Sequence, residues 1–266
     1  MRYKIDHDLH IHTKLSICSE DEAQTPNNIL RIAKKMGWKT ICVTDHYWDE
    51  NVPCNTLVNW WHEAQNFMHI SKVRPLPQDD EVTFLFGCEV DVDSDNKVGI
   101  SKERWDDFDF IIISTTHFHH ITGPYGEKES YEATAKCWVE RLDTVLNTEL
   151  PYEKVGIAHL ACSLIAKSRE DLLKSIEMIP TEEMRRLFSK AAKLGVGIEL
   201  NYCDLNFKIE EADIILRMFR VAIDCGCKFS FGSDAHSITT FENVSEVYER
   251  AIDLLDLREE HKFLVK

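Results

Sequence analysis

The sequence predicts an α/β fold built on a parallel sheet. Short β-branched or aromatic runs alternate with longer segments of helical period, the pattern of strands joined by crossover helices. Runs such as FIIIS and TICVT are apolar throughout, which suits strands buried on both faces. A length of 266 residues fits one α/β barrel, although the pattern does not distinguish a barrel from an open doubly wound sheet. No Pro- or Ser-rich linker divides the chain, so we expect one domain spanning residues 1–266.

Turn and capping residues set the limits of the predicted elements. Thr25 followed by Pro26 is a typical helix start, and Gly37 is a typical helix-ending residue. The predicted strands are Tyr3–Leu9, Lys39–Thr44, Thr83–Glu89, Phe108–Ser114, Lys154–Ala158, Val196–Leu200 and Lys228–Gly232. The predicted helices lie near 26–36, 56–71, 130–147, 181–194, 210–225 and 240–255. We interpret residues 91–107 as a polar excursion containing a hairpin, and residues 117–130 as a lid.

Composition narrows the class of protein. The chain has 31 basic and 46 acidic residues, hence a formal charge of −15, and 44% of its residues are hydrophobic. That hydrophobic share excludes a disordered chain, and the negative charge argues against binding to nucleic acid or to a membrane surface. No run reaches the roughly 18 apolar residues of a membrane span, and the N-terminal stretch has no signal-peptide core. Nine cysteines without a CxxC pattern indicate reduced thiols, so we expect a soluble cytoplasmic protein.

Imidazole and carboxylate side chains follow nearly every predicted strand. In a parallel α/β fold the carboxyl ends of the strands share one face, so these side chains are expected to converge there. In strand order they are His10 and His12, Asp45 and His46, Glu89, His117, His159, Glu199 with Asn201, and Asp234 with His236. Residues two apart on a strand point the same way, so His10 and His12 can bind one ion together.

A metal cluster explains this convergence better than a set of unrelated polar strand ends does. Without ions, so many imidazoles and carboxylates packed together would repel one another and resist burial. Nitrogen and oxygen ligands suit Zn²⁺, Mn²⁺ or Fe, and the sequence does not choose among these metals.

The strand-end motifs resemble those of a known family. DLHIHT, VTDH, FGCEVDV, STTH, GIAH and GSDAH are similar, in this order, to the motifs of the PHP (polymerase and histidinol phosphatase) family. The resemblance extends from Asp8 to His236, and the single-domain length is closer to the stand-alone histidinol-phosphatase branch than to the polymerase-attached domains. It implies a distorted (β/α)7 TIM-like barrel with two or three divalent metal ions at the C-terminal ends of the strands.

The resemblance also implies a set of metal ligands. The sets are His10, His12, Glu89 and Asp234 for the first ion, Glu89 (bridging), His117 and His159 for the second, and His46 with His236 for the third. The chain departs from some family members after the HxH motif, where it has KLSICSEDE. Either the Cys18 thiolate or the Asp21 carboxylate is the candidate for the remaining ligand, and the occupancy of the third site stays open.

Such a cluster suits hydrolysis of a phosphate monoester. Divalent ions polarise a phosphoryl oxygen and lower the pKa of a bridging water, so that the resulting hydroxide can attack phosphorus. No protein nucleophile is then required, and neither a GxSxG nor a P-loop pattern occurs. Asp234 and His236 are the candidate catalytic residues, as alternative sources of the leaving-group proton alongside a metal-bound water.

The sequence is less informative about the substrate. Lys14, Arg169 and His119 are candidate substrate contacts, because they lie in loops that follow predicted strands. The resemblance favours L-histidinol phosphate, with nucleotides and other small phosphorylated metabolites as alternatives. Two other functions are considered. One is an amidohydrolase-like metallohydrolase, but the chain has His117 where that class often has a lysine that bridges two metals. The other is a non-catalytic metal-binding domain. The sequence gives no indication of an oligomeric state.

Overall fold

Within the described residues, eight parallel strands form one sheet. The computed structural model describes residues 1–124 and 130–265. The strands are β1 (His7–Ile11), β2 (Thr40–Val43), β3 (His46–Tyr47), β4 (Thr83–Asp91), β5 (Phe110–Ser114), β6 (Val155–Ala158), β7 (Gly197–Asn201) and β8 (Lys228–Gly232). Hydrogen-bonded neighbours follow the order β1–β2–β4–β5–β6–β7–β8, and the two-residue β3 pairs with β4. Every pair is parallel, as the buried apolar runs predict.

The sheet nearly closes into a barrel between β1 and β8. Ile11 forms a parallel bridge with Ala235, just beyond β8. The backbone N–H of Asp234 donates to the carbonyl of His10 at 2.7 Å, and the N–H of His12 donates to the carbonyl of Ala235 at 3.1 Å. These contacts confirm the distorted (β/α)7 TIM-like barrel over the open doubly wound sheet. They also bring the C-terminal ends of the first and last strands together.

Helices cover the outside of the sheet. In the described part of the chain they are α1 (Pro26–Met36), α2 (Asn59–Ala64), α3 (Phe67–Ile70), α4 (Tyr131–Asn147), α5 (Arg169–Met178), α6 (Thr181–Leu194), α7 (Tyr202–Leu205), α8 (Ala212–Asp224) and α9 (Val244–Leu255). Helix α1 is capped as predicted, because the Thr25 side chain accepts a hydrogen bond from the Asn28 N–H and Gly37 has φ 74°. None of these helices is long and apolar enough to cross a membrane.

The first strand differs from its prediction. The sequence pattern predicts Tyr3–Leu9, but the strand is His7–Ile11. The N–H of Tyr3 donates instead to the carbonyl of Leu257 at 3.1 Å, near the other end of the chain. Local periodicity cannot reveal such a distant partner. The consequence is that His10 lies within the strand rather than beyond it.

Two helix predictions also need correction. The helix predicted near 56–71 is split into α2 and α3, because Asn66 is extended and its side chain caps α3 by accepting from the His69 N–H at 3.1 Å. The sequence pattern misses α5 altogether. A signal was present, since Ser168 is a standard N-cap and accepts from the Asp171 N–H at 3.1 Å.

The polar excursion predicted at 91–107 contains a short hairpin-like turn followed by a 3₁₀ helix over Lys102–Asp107. A single antiparallel bridge joins Val92 and Val98. The buried guanidinium of Arg141 on α4 donates to the carbonyl of Val92 at 2.5 Å and to that of Thr115 at 2.7 Å. Arg141 therefore ties the turn after β4 to the end of β5, next to the predicted ligands.

The predicted lid lies only partly within the described residues. Phe118–His120 forms a 3₁₀ turn directly after His117. Residues 125–129 of the predicted lid lie outside the described residues.

Candidate metal centre

The eight predicted strand-end ligands converge at the C-terminal end of the barrel. These residues form three groups, and within each group the ligand atoms lie within 4.8 Å of one another: His10, His12 and Asp234; Glu89, His117 and His159; and His12, His46 and His236. Most of these side chains are buried, but those of Asp234 and His236 are 19% and 32% exposed. The cluster therefore opens to solvent on the side of Asp234 and His236.

Glu89 lies between the first two groups. Its Oε2 atom is 3.5 Å from His10 Nε2 and 3.4 Å from His12 Nε2. Its Oε1 atom is 2.8 Å from His159 Nε2 and 3.8 Å from His117 Nε2. One buried carboxylate thus directs one oxygen to each group.

Glu199 on β7 supports two of these ligands from behind. Its Oε1 atom is 2.8 Å from His10 Nδ1, and its Oε2 atom accepts from the His159 N–H at 2.7 Å and from Asn201 Nδ2 at 3.2 Å. Because an ionised carboxylate can only accept, His10 Nδ1 carries the proton. His10 Nε2 is consequently the ring nitrogen that faces the cluster and that a bound metal ion would use.

Ser16 and Asp45 orient His12 in the same manner. The Ser16 hydroxyl donates to Asp45 Oδ1 at 2.7 Å and lies 2.9 Å from His12 Nδ1. Since the hydroxyl proton is directed to Asp45, the hydroxyl oxygen accepts from His12 Nδ1–H, which leaves Nε2 free. Asp45 also accepts from the N–H and the hydroxyl of Thr13, both at 2.7 Å. Asp45 therefore lies behind the ligands rather than among them.

The second group has matching supports. The Thr116 hydroxyl donates to the carbonyl of His159 at 3.2 Å and lies 2.8 Å from His159 Nδ1, whose proton it accepts. His117 Nδ1 is 2.6 Å from Asp91 Oδ1 and must donate to it. Both rings thus direct Nε2 toward Glu89.

Cys18, rather than Asp21, contacts the third group. The Nδ1–H of His236 donates to the carbonyl of Asp234 at 2.8 Å, and its Nε2 lies 3.0 Å from Cys18 Sγ. Asp21 instead accepts a hydrogen bond from the Ile238 N–H at 2.9 Å, at the start of the 3₁₀ turn Ile238–Glu242. Of the two side chains that the sequence leaves as alternatives, the thiol is the one beside the cluster.

Burial and mutual electrostatics set the protonation of the cluster. Burial opposes ionisation of Glu89, but the neighbouring imidazoles of His46 and His10 outweigh it and hold the pKa of this carboxyl well below its ordinary value. Burial lowers the pKa of His46 to about 4. Burial, assisted by His12, also lowers the pKa of His236 to about 4. At neutral pH the rings of His46 and His236 are therefore uncharged.

Two of the converging residues have strained backbones. The φ angle is 26° at His159 and 52° at Asp234. Residues other than glycine rarely adopt this region, at a cost of about 1–3 kcal/mol each. Hydrogen bonds hold both conformations, since the His159 N–H donates to Glu199 and the Asp234 N–H donates to the His10 carbonyl, each at 2.7 Å. Such strain concentrates at functional sites.

The predicted substrate contacts differ in their placement. Two of them form ion pairs, Lys14–Glu22 at 2.8 Å and Arg169–Glu211 at 2.5 Å. The ring centroid of His119 is 5.6 Å from that of His117. Of the three candidates, His119 is thus the one with a described contact to a predicted metal ligand.

Several supporting residues are not evident from the sequence. Asp91 could have been found, because it is two residues beyond Glu89 on β4 and therefore points to the same face. Ser16 and Thr116 carry no comparable signal, since hydroxyl residues are common in loops. The ring centroid of Trp61 on α2 lies 4.5 Å from that of His46.

Gly232 makes room for the contact between His10 and Glu199. A Cβ atom at this position would overlap the Glu199 carboxylate and lie 2.6 Å from His10 Cβ. We expect Gly232→Ala to displace these side chains and to lower Zn²⁺ affinity by about 10–100-fold, the usual effect of losing support behind a ligand. Calorimetric titration measures the affinity. The control is Gly123→Ala, whose Cβ would meet no atom nearer than 3.6 Å, and equal affinities in the two variants would contradict this role for Gly232.

The cluster fits divalent metal ions. The hydrogen bonds to Nδ1 of His10, His12, His117 and His159 turn the Nε2 atoms of these rings toward one another, and two carboxylates supply oxygens among them. Nitrogen and oxygen donors in this combination bind Zn²⁺, Mn²⁺ or Fe.

A TIM-like barrel that collects these donors at the C-terminal ends of its strands has the architecture of a metal-dependent hydrolase. The PHP domain model matches residues 8–203. The chain therefore belongs to the PHP family of metal-dependent phosphoesterases. The matched segment ends before β8, yet the fold brings Asp234 and His236 into the same cluster as the earlier motif residues.

Solved structures with this fold include two related to histidinol phosphatases. A histidinol phosphate phosphatase from Lactococcus lactis subsp. lactis, determined with zinc, L-histidinol and phosphate, is 16% identical with a TM-score of 0.60, over 94% of this chain and 92% of that chain. A proposed histidinol phosphatase from Listeria monocytogenes is 12% identical with a TM-score of 0.60, over 91% of this chain and 99% of that chain. No curated protein matches the chain. At these identities the likeness establishes the fold.

Proposed function

We propose that this chain hydrolyses a small-molecule phosphate monoester, with L-histidinol phosphate as the best candidate substrate. The observation that carries the proposal is the position of Glu89, which directs one oxygen toward His10 and His12 and the other toward His117 and His159. A buried carboxylate between two sets of nitrogen donors is typical of a bridged two-metal site. Such sites clamp the attacking and leaving oxygens of a phosphoryl group.

The proposal assigns each ligand to a metal ion. His10, His12, Glu89 and Asp234 hold the first, Glu89, His117 and His159 the second, and His46, His236 and Cys18 the third. Divalent ions bound there would polarise the phosphoryl oxygens and bring the pKa of a water toward neutrality.

The protein's own contribution is to hold these ligands ready. Glu199, Asp91, Thr116 and the Ser16–Asp45 pair fix the tautomers of four imidazoles through the short hydrogen bonds described above. Burial excludes water from the inner ligands, whereas the exposed sides of Asp234 and His236 define where a phosphate group would enter. A site that needs little rearrangement stabilises developing charge at low cost.

Protonation of the leaving group is assigned to water. The imidazole of His10 and the other nearby rings outweigh burial and hold the pKa of Asp234 far below its ordinary value, so this carboxylate is ionised at neutral pH. His236 is neutral, and its single N–H is engaged by the carbonyl of Asp234. Neither side chain therefore has a readily donated proton, and both act by binding and orientation.

The small size proposed for the substrate follows from charge. A net charge of −15 disfavours approach of long polyanions, whereas a small phosphate ester can be drawn in by bound cations. The zinc, L-histidinol and phosphate in the Lactococcus lactis protein support the choice of L-histidinol phosphate. The proposal treats residues 1–266 as one domain in the cytoplasm, which is supported by the absence of disulfides among its nine cysteines, all within the described residues.

A substrate comparison tests the proposal. The kcat/KM values for L-histidinol phosphate, AMP and p-nitrophenyl phosphate are measured with Mn²⁺, Zn²⁺ and Fe²⁺. We expect L-histidinol phosphate to exceed the other esters by about tenfold or more, which corresponds to roughly 1.4 kcal/mol of transition-state binding. A higher value for AMP would overturn the choice of substrate, and failure of metal-loaded protein to hydrolyse any ester would overturn the phosphatase assignment.

The role of Cys18 is testable separately with Co²⁺. Because Sγ lies 3.0 Å from His236 Nε2, Co²⁺ in the third group should show thiolate-to-cobalt charge-transfer absorption in the near ultraviolet. Cys18→Ser should abolish this band. Cys225→Ser is the control, since Cys225 Sγ contacts the Arg185 carbonyl on the outer helices. Retention of the band in Cys18→Ser would remove Cys18 from the ligand set.

A further inference from the structure

A second cluster of ligand-type side chains lies beside the Glu89 centre, and two of its three members have no role in that centre. His62 on α2, Asp91 at the end of β4 and His120 in the turn after β5 have ligand atoms within 4.8 Å of one another. We propose that these three residues bind a further divalent cation of the Zn²⁺, Mn²⁺ or Fe²⁺ class. Neither His62 nor His120 is among the ligands assigned to the Glu89 centre.

Both imidazoles approach the same oxygen of Asp91. His62 Nε2 lies 2.8 Å from Asp91 Oδ2, and His120 Nδ1 lies 3.3 Å from it. The other oxygen, Oδ1, accepts from His117 Nδ1 at 2.6 Å. Asp91 can therefore offer Oδ2 to an ion while Oδ1 continues to orient His117.

The tautomer that metal binding requires of His62 is available. His62 Nδ1 lies 3.3 Å from Thr56 Oγ1 and 3.4 Å from Cys54 Sγ. A proton on Nδ1 can be donated to either atom, which leaves the Nε2 lone pair facing Asp91. Imidazoles that bind metal ordinarily donate their other N–H to a protein acceptor in this way.

The charge of the cluster also favours a cation. The side chains of His62 and Asp91 are only 2% and 4% exposed. Imidazoles are the only partners described for the Asp91 carboxylate, and no Lys or Arg is among them. A buried carboxylate is costly unless positive charge compensates it, and a bound cation would supply that charge. Two imidazole nitrogens and one carboxylate oxygen form a common ligand set for Zn²⁺ and Fe²⁺.

The proposed ion would lie close to the Glu89 centre without sharing its ligands. The ring centroid of Trp61 is 5.0 Å from that of His120 and 4.5 Å from that of His46, so one indole borders both clusters. Asp91 provides the direct link, because it contacts both the proposed ion site and His117. The proposal does not depend on the phosphatase assignment.

Two variants separate a metal site from a hydrogen-bond network. His62→Gln and His120→Asn place an amide N–H near the imidazole nitrogen that faces Asp91, so they keep a donor but remove a good metal ligand. His261→Gln is the matched control, since His261 lies in the last turn and accepts from the Arg258 N–H at 3.1 Å. Zn²⁺ content per chain is measured by mass spectrometry, and anomalous scattering at the zinc edge locates the ions in crystals.

We expect wild type and His261→Gln to show an anomalous peak among His62, Asp91 and His120 and to bind one more Zn²⁺ per chain than either other variant. An unchanged zinc content in His62→Gln and His120→Asn, or no peak at Asp91 in wild type, would overturn the proposal. Peaks around Glu89 are scored independently. Absence of a peak at Asp91 alone would therefore contradict the proposed ion site without bearing on the proposed phosphatase centre.

Discussion

Glu89→Gln should lower kcat/KM for phosphate-ester hydrolysis by about a thousandfold. The substitution keeps the size of the side chain but removes the negative charge that faces both ligand groups. Loss of a bridging ligand should forfeit about 4 kcal/mol of metal-derived transition-state stabilisation, and each 1.36 kcal/mol is tenfold in rate. Steady-state kinetics with saturating Mn²⁺ measures the loss, and metal content measured in parallel reports whether an ion is lost.

The control for Glu89→Gln is Glu182→Gln on the exposed surface of α6, which should retain wild-type kinetics. Both proteins should show the same far-ultraviolet circular dichroism. A Glu89→Gln enzyme with more than about a tenth of wild-type kcat/KM would mean that the carboxylate does not join the two groups.

Glu199→Gln should lower Zn²⁺ affinity by about a hundredfold, the upper end of the range for residues behind a ligand. The upper end applies because Glu199 contacts two ligands, His10 through Nδ1 and His159 through its backbone N–H. A glutamine can offer only one carbonyl oxygen, so one of these contacts must be lost. The backbone of His159 is strained, with a φ of 26°, so it is sensitive to loss of its hydrogen bond to Glu199.

A positioning role for Glu199 has a distinct kinetic signature. If the residue acts by holding metal ligands, raising Zn²⁺ should restore much of kcat while the half-saturating metal concentration stays high. Calorimetric affinity and metal-titrated activity measure the two effects. Wild-type zinc affinity in Glu199→Gln would show that the His10 tautomer does not depend on this carboxylate.

Much of the barrel could be predicted because its signals are local. Strands β2 and β5 are short, largely apolar runs, and residues such as Gly37 end helices through their positive φ. The convergence of the strand-end ligands followed from one topological fact, that parallel strands end on one face. The match of the PHP domain to residues 8–203 agrees with that interpretation.

The rest of the site depends on contacts between distant residues. Tyr3 pairs with Leu257 rather than extending the first strand, which no local period can indicate. Ser16 and Asp45 come together only when β1 and β2 are adjacent. Two cations that the sequence offers for substrate binding instead pair with carboxylates, because Glu22 and Glu211 lie nearby in the fold.

The most direct test of the central claim is a metal titration of stripped enzyme. Protein freed of metal by a chelator is mixed with increasing equivalents of Mn²⁺ or Zn²⁺, and release of phosphate from L-histidinol phosphate and p-nitrophenyl phosphate is followed. The two-group arrangement around Glu89 predicts no hydrolysis without metal and a rise in activity that requires at least two ions per chain. Undiminished hydrolysis by the metal-free protein, or full activity with a single equivalent, would contradict a metal-bridging role for Glu89.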